Sequence, residues 1–440
     1  MNRLLTKLAA GDEVKGASGS QKRSVHEVLE DAIPSPAGIM FGATQQFVVA
    51  VESCKKSNKQ LILSFFFLFL SLQLQAAPQQ KISGLVTQDG FSIPQEGHHF
   101  SFPRDYGSHD DFKIEWWYIT GHLFTKKGKR FGFESTFFAT ALNPFSEELL
   151  EIQSDFGFQT IFFADIALLD VQKKKFLFQR RWNRNGWDAS ASSEKLDLRN
   201  GNWSLVMNDP IKKTIHLSGS IRGEVSLELT LKPLKPLVIF GKNSILRKGK
   251  DPENLSYYMT FPRLQVEGTL LNGTQEEQVH GEAWMDHEIS TRRLDSNQTG
   301  WDWCSLQVKE GYEIMAYRMR SADGTQDPFS TLTWIDPQGK LTAYSGKEFS
   351  MEPVSYWKSP TTQIRYPISM RLHTMDPKNN QPVTFLLVPL AENQELVGNN
   401  GLSYWEGACR VLDGNNQEVG SAFLELTGYG AGFEKNFKTL

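Results

Sequence analysis

The run Gly281-Glu282-Ala283-Trp284-Met285-Asp286-His287-Glu288 sets carboxylates and an imidazole side by side among large aromatics, and Trp301-Asp302-Trp303 and Tyr317-Arg318 follow it in the same half of the chain. Carboxyl, imidazole and phenol groups move protons, and inside an apolar wall their pKa values shift toward working pH. Proton donation to an isolated carbon-carbon double bond, followed by base-assisted attack of water on the resulting cation, is chemistry that such a set could perform. The faces of Trp284, Trp301 and Tyr317 would stabilise that cation. Asp286, His287, Glu288 and Tyr317 are therefore the candidate catalytic residues. A strand sends Asp286 and Glu288 to one face and His287 to the other, so adjacent letters need not form one site. His287 could equally pair with a carboxylate and tie two parts of the fold together.

The elements that must position these residues are short strands and turns, with hardly a helix from Gln79 onward. Trp116 to Phe124, the turn Lys126-Lys127-Gly128-Lys129 and Phe131 to Thr140 read as one hairpin. Leu264 to Leu270, Asn272-Gly273 and the run from Val279 read as another. Regular spacing of this kind predicts barrels or sandwiches rather than a parallel sheet. An aromatic pair, a strand, a tight turn and a strand recur around Glu115-Trp116-Trp117-Tyr118 and around Trp301-Asp302-Trp303. The Pro- and Gly-containing span 232–255 separates the two halves. Two β domains are expected, over 78–255 and 256–440.

The sequence has 440 residues, enough for two or three domains, with 40% hydrophobic and 12% aromatic residues and a net charge of −3. Sizeable cores follow, and nucleic acid is not an expected partner. Lys55, Lys56 and Lys59 lead into the apolar run from Leu61 to Leu70 and then Gln75-Ala76-Ala77, the order of a secretory signal peptide over 55–77. The apolar run is short for a membrane span, so contact with a membrane is expected to be transient or through an uncleaved signal anchor. Residues 1–54 read as an upstream-assigned start or an unstructured extension. A periplasmic or secreted protein is the expectation. There Cys304 and Cys409 could form a disulfide or remain two buried thiols. His287-Glu288 lacks the second His of a zinc-protease helix, and there is no glycine-rich phosphate loop and no Gly-x-Ser-x-Gly elbow, so no metal and no cofactor are expected.

Glu115-Trp116-Trp117-Tyr118, Ser256-Tyr257-Tyr258 with Pro262-Arg263-Leu264, Ala283 to Glu288, Gly300 to Trp303 and Tyr404-Trp405-Glu406-Gly407 resemble the motifs of the AttH-like secreted proteins, often called predicted secreted hydrolases. These are grouped with the carotenoid 1,2-hydratases, and the resemblance spans nearly the whole chain after residue 77. It implies tandem lipocalin-like, calycin-type antiparallel β-barrels with an apolar cavity. The hydratase pattern His-x-Trp and Tyr-x-Asp meets His287-Glu288-Ile289 and Tyr317-Arg318-Met319 here: His and Tyr match, Trp and Asp do not. Asp286, Glu288 or Asp302 could take the place of that missing Asp. Candidate ligand-binding residues are Glu115, Trp116, Trp117, Tyr118, Tyr257, Trp284, Trp301, Asp302, Trp303 and Arg318.

A carrier of an apolar small molecule or lipid in a lipocalin-like cavity, working with an ABC transporter permease, is the leading reading. A hydro-lyase adding water to an isoprenoid double bond is the alternative. Another enzyme class, including hydrolysis, and a purely structural role stand behind these two. A cleft between the halves, where Glu115 and His287 could approach one another, is the first place to look for the site.

Overall fold

The computed structural model describes residues 86–141, 160–186, 188–291, 294–398 and 402–431. The extension at 1–54 and the signal-like run at 55–77 lie outside the described residues. Among the described residues no helix is long and apolar enough to cross a membrane. The architecture is all-β, with two antiparallel sheets in tandem.

The thirteen-stranded first sheet contains β1 (Ile114–Thr125), β2 (Arg130–Ala141), β3 (Thr160–Asp170), β4 (Lys175–Arg184), β5 (Ala189–Ala191), β6 (Asp197–Asn200), β7 (Trp203–Asp209), β8 (Thr214–Ile221), β9 (Val225–Pro233), β10 (Val238–Ile239), β11 (Leu246–Arg247), β12 (Leu255–Asn272) and β13 (Gln275–Ser290). Its order is β4-β3-β2-β1-β13-β12-β9-β8-β7-β6-β5, and it curls until β3 and β4 pack against β6 and β8. The ten-stranded second sheet contains β14 (Gln298–Val308), β15 (Glu313–Ser321), β16 (Thr331–Ile335), β17 (Leu341–Ser345), β18 (Ser350–Lys358), β19 (Arg365–Asp376), β20 (Gln381–Pro389), β21 (Glu395–Leu396), β22 (Tyr404–Leu412) and β23 (Glu418–Thr427). Its order is β17-β16-β15-β14-β23-β22-β20-β19-β18.

Both expected hairpins form, as β1/β2 and β12/β13. The second of them does not open the second half. β13 pairs with β1 along its length and β12 pairs with β9, so both strands belong to the first sheet. The sheets divide between Ser290 and Gln298 rather than at the expected boundary of 255 and 256. Sequence proximity cannot reveal this, because the β1–β13 ladder joins residues far apart in the chain. The span 232–255 also contributes β10 and β11, each pairing with β12.

Strand alternation gives each sheet two faces. The inner face of the first carries Trp117, Phe131, Phe133, Ile166, Trp203 and Leu229 in one continuous core. The inner face of the second carries Cys304, Tyr366, Met370, Leu372, Trp405 and Cys409. Both cysteines are free thiols inside that core. Large inward side chains fill both barrels, so the space expected within them is occupied by protein. A third apolar cluster lies between the outer faces, formed by Tyr118, Tyr258 and Trp284 of the first sheet with Trp303, Tyr317 and Phe423 of the second.

Polar clamps hold these outer faces together. Pro262 has no N–H to donate, and the β12–β13 register slips between Phe261 and Leu264. The Pro262 carbonyl instead accepts a hydrogen bond from Gln307 Nε2 at 2.9 Å, and the same amide donates to the Ala283 carbonyl at 2.9 Å. Next to it Arg263 ion-pairs with Glu313 of β15 at 2.6 Å. The sheets are in close contact where Gly132 of β2 faces Ala408 of β22: a Cβ on Gly132 would stand 2.4 Å from that of Ala408. Gly132→Ala is expected to wedge the sheets apart and cost about 1–3 kcal/mol in denaturant unfolding. The double variant with Ala408→Gly is expected to recover most of that loss.

Candidate functional site

Alternation splits the Asp286-His287-Glu288 run into two environments. His287 points into the first barrel, stacked on Trp117 with ring centroids 4.7 Å apart. Glu115 Oε1 accepts hydrogen bonds from His287 Nε2 at 2.7 Å and from His109 Nδ1 at 2.8 Å, and His109 Nε2 donates to Asp105 at 3.1 Å. Burial alone would raise the Glu115 pKa, but the two imidazole hydrogen bonds outweigh it and bring it down to about 2. Glu115 and His287 therefore do meet, as a buried lock joining β1, β13 and the segment before β1. Among the described residues this is the group able to gather ligand atoms for a metal ion: those of His109, Glu115 and His287 lie within 4.8 Å of one another.

Asp286 and Glu288 point the other way, toward the second sheet. Between the outer faces lies a cavity of about 130 Å³ whose walls include Trp116, Tyr118, Phe138, Tyr258, Trp301 and Trp303. Its polar lining comprises Asp286, Glu288, Glu425, Lys248, Tyr317, Thr136, Thr427, Arg180 and Tyr404. Asp286 accepts hydrogen bonds from Tyr258 Oη (2.7 Å), Thr260 Oγ1 (2.5 Å) and Trp284 Nε1 (2.7 Å). Burial nonetheless pushes its pKa up to about 7, against those three bonds and with help from the Glu288 charge. Glu288 is ion-paired with Lys248. On the opposite wall Glu425 Oε1 accepts from Trp301 Nε1 at 3.0 Å and Thr427 Oγ1 at 2.8 Å, while its Oε2 has no partner among the described residues. Burial pushes Glu425 up to about 7 as well, again with a contribution from Glu288.

Behind the cavity wall the carboxyls continue. Glu406, which accepts from Tyr118 Oη at 2.5 Å, and Glu134, hydrogen-bonded by Thr136, are both raised well above the ordinary range by burial and by neighbouring acids. Asp165 is instead neutralised by the Arg180 guanidinium, with Nη2 at 2.7 Å from Oδ2. Lys248 and Arg180 are each paired with a carboxylate, and for Asp286, Glu425, Glu406 and Glu134 burial favours the neutral form. Tyr317 Oη is buried and finds no hydrogen-bond partner among the described residues. Its hydroxyl is available to an oxygen inside the cavity.

Of the residues expected in the site, Trp116, Tyr118, Asp286, Glu288, Trp301, Trp303 and Tyr317 line the cavity. Trp284 stands behind Asp286 as a donor to it. His287, Glu115 and Trp117 face the first barrel, as their odd positions on β13 and β1 require. Asp302 and Arg318 face the second barrel, where Asp302 Oδ2 accepts from Arg318 Nε at 2.8 Å and Asp302 Oδ1 from Tyr429 Oη at 2.8 Å. Tyr257 stacks on His98 at 4.7 Å, away from the cavity. Sequence reading missed Glu425, Tyr258 and Lys248. Period-2 alternation in Ala422-Phe423-Leu424-Glu425-Leu426-Thr427 was the available signal, since it puts an acid on the face that carries Phe423.

The family model for AttH-like proteins matches residues 93–429. The chain belongs to the AttH-like family. Its fold superimposes on the crystal structure of a protein from Nitrosomonas europaea assigned as AttH, with a TM-score of 0.68 at 31% identity, covering 77% of this chain and 100% of that one. It also superimposes on kievitone hydratase from Nectria haematococca with a TM-score of 0.56 at 15% identity, covering 78% and 95% of the two chains. A search of curated proteins found no match. In this AttH-like chain the aromatic motifs named by the family resemblance therefore lie on strands of both sheets, with Trp116, Tyr118, Trp301 and Trp303 turned into one shared cavity.

The raised Asp286 pKa fixes the sign of a pH effect. Its stabilising contribution is complete below the unfolded value of 3.8 and is lost as pH rises to about 7. Asp286→Asn is expected to flatten the fall in unfolding free energy across that window by an amount on the order of a few kcal/mol. Chemical denaturation of wild type and variant at a series of pH values measures this, and parallel profiles would show that Asp286 does not titrate there.

Proposed function

We propose that the cavity between the sheets hydrates a carbon-carbon double bond of an apolar substrate by acid-base catalysis. The supporting observation is Glu425: a cavity-wall carboxyl whose Oε2 has no partner among the described residues and whose pKa burial raises to about 7, opposite the Lys248-paired Glu288. Two carboxyls at one cavity, one raised by burial and the other paired with a lysine, form an arrangement that can supply an acid and a base. Glu425 gives its proton to one alkene carbon, and the positive charge develops on the more substituted carbon. The faces of Trp116, Trp301 and Trp303 stabilise that charge. Water, oriented by the unpartnered Tyr317 hydroxyl, attacks the cation and loses its proton to Glu288. The product is a tertiary alcohol, and transfer of the proton from Glu288 back to Glu425 through solvent restores the starting state. Asp286 holds Tyr258 and Trp284 in place rather than touching substrate.

The kievitone hydratase neighbour gives water addition a precedent on this fold, at an identity that speaks for architecture alone. The carrier role, export through the segment at 55–77 and an ABC permease partner form the second reading, which the apolar walls of the cavity favour.

Incubation with prenylated phenols and acyclic terpenoids in 18O-labelled water, followed by mass spectrometry, separates the two. Hydration predicts a labelled alcohol whose rate of formation falls as pH rises through about 7, because the acid must be protonated. Glu425→Gln and Glu288→Gln are each expected to lower turnover at least roughly a hundredfold while ligand stays bound. Binding without labelled product across the panel would leave the carrier reading standing.

A further inference from the structure

One row of side chains crosses six adjacent strands of the first sheet on its cavity face. Tyr258 pairs directly with Glu288, Glu288 with Trp116, Trp116 with Phe138, Phe138 with Phe163, and Phe163 with Trp182. Beyond Glu288 every member is an aromatic ring. Trp116 and Phe138 stack at 5.3 Å between centroids, Phe138 and Phe163 at 4.4 Å, and Phe163 and Trp182 meet at 4.8 Å. The first three line the cavity. Trp182, on β4 at the sheet edge, lies outside that lining and is 44% exposed, among the few large apolar side chains that are.

The row two residues away on the same face is polar and already satisfied. It runs Asp286, Tyr118, Thr136, Asp165 and Arg180, and ends in the Arg180–Asp165 ion pair with Tyr404 Oη donating to Asp165 at 2.9 Å. Beside that polar row, the aromatic one offers an apolar group a continuous path from the cavity toward the sheet edge. Strand spacing of about 4.8 Å puts Trp182 roughly 19 Å from Glu288.

We propose that the aromatic row is a tail subsite, along which an extended apolar chain runs from the carboxyls to the protein surface at Trp182. The inference rests on the cavity being a ligand site and not on the reaction performed there. The occupant is the unreacting end of the cavity's own ligand, because the stack is continuous with the cavity lining and its last ring stays exposed. Chain length, rather than head-group chemistry, is then what Trp182 and Phe163 sense.

Isothermal titration with geraniol, farnesol and geranylgeraniol tests this on the full chain, since it reads binding without turnover. The wild type is expected to bind more tightly with each added unit. Trp182→Ala should weaken geranylgeraniol roughly three- to tenfold and leave geraniol unchanged, and Trp182→Phe should restore most of the loss. Tyr356→Ala, removing a ring of similar exposure on the second sheet, should change neither. An unchanged length dependence in Trp182→Ala, or an equal loss for all three alcohols, would overturn the tail subsite. Loss of hydration in the labelled-water assay with the length dependence intact would overturn only the reaction.

Discussion

The period-2 alternation of β1 and β13, locked in register by their ladder, is the constraint from which the rest of the site follows. It sends Glu115, Trp117 and His287 into the first barrel and Trp116, Tyr118, Asp286 and Glu288 toward the second sheet. A slip of one residue would exchange these sets, burying the acids in a dry core and exposing the tryptophan that packs on His287. The Glu115 bridge to His109 and His287 resists that slip. A carboxylate fully removed from water is tolerated only with its partners in place, and its depressed pKa shows how strongly they hold it.

On the other face burial prevails over the hydrogen bonds. Asp286 and Glu425 have hydrogen-bond donors but no ion-paired cation among the described residues, and desolvation favours their neutral forms. Glu288 differs only in having Lys248 beside it. Chemically similar side chains thus meet different electrostatic surroundings through placement, without any unusual residue. The same logic explains why Glu406 and Glu134 can sit behind the wall: as neutral acids they act as hydrogen-bonding groups rather than as charges.

The cavity itself is a by-product of how two filled barrels meet. Gly132 against Ala408 brings the sheets into close contact at one place, and Arg263, Glu313 and Gln307 clamp them at another. Curved sheets touching there diverge elsewhere, and aromatic rings line the gap that remains. Trp203 and Trp405, wholly buried on the inner faces, are part of what fills the lipocalin-like interiors.

Much of this was legible in one dimension. Short alternating strands set the all-β class, turn residues such as Lys126 to Lys129 set the hairpins, and alternation alone separated Asp286 and Glu288 from His287. The aromatics of Trp116, Tyr118, Trp301 and Trp303 could be picked out because motifs of that density are rarely left on a solvated strand. Tertiary structure decided the rest. Asp302 and Arg318 looked like site residues until register turned them into the second barrel, and Glu425 went unnoticed until β23 placed it opposite Glu288. Side-chain direction is a local property that sequence period fixes. Which face meets another sheet is a long-range property, set by pairings such as β1 with β13, and a carboxyl's pKa depends on that encounter rather than on its neighbours in the chain.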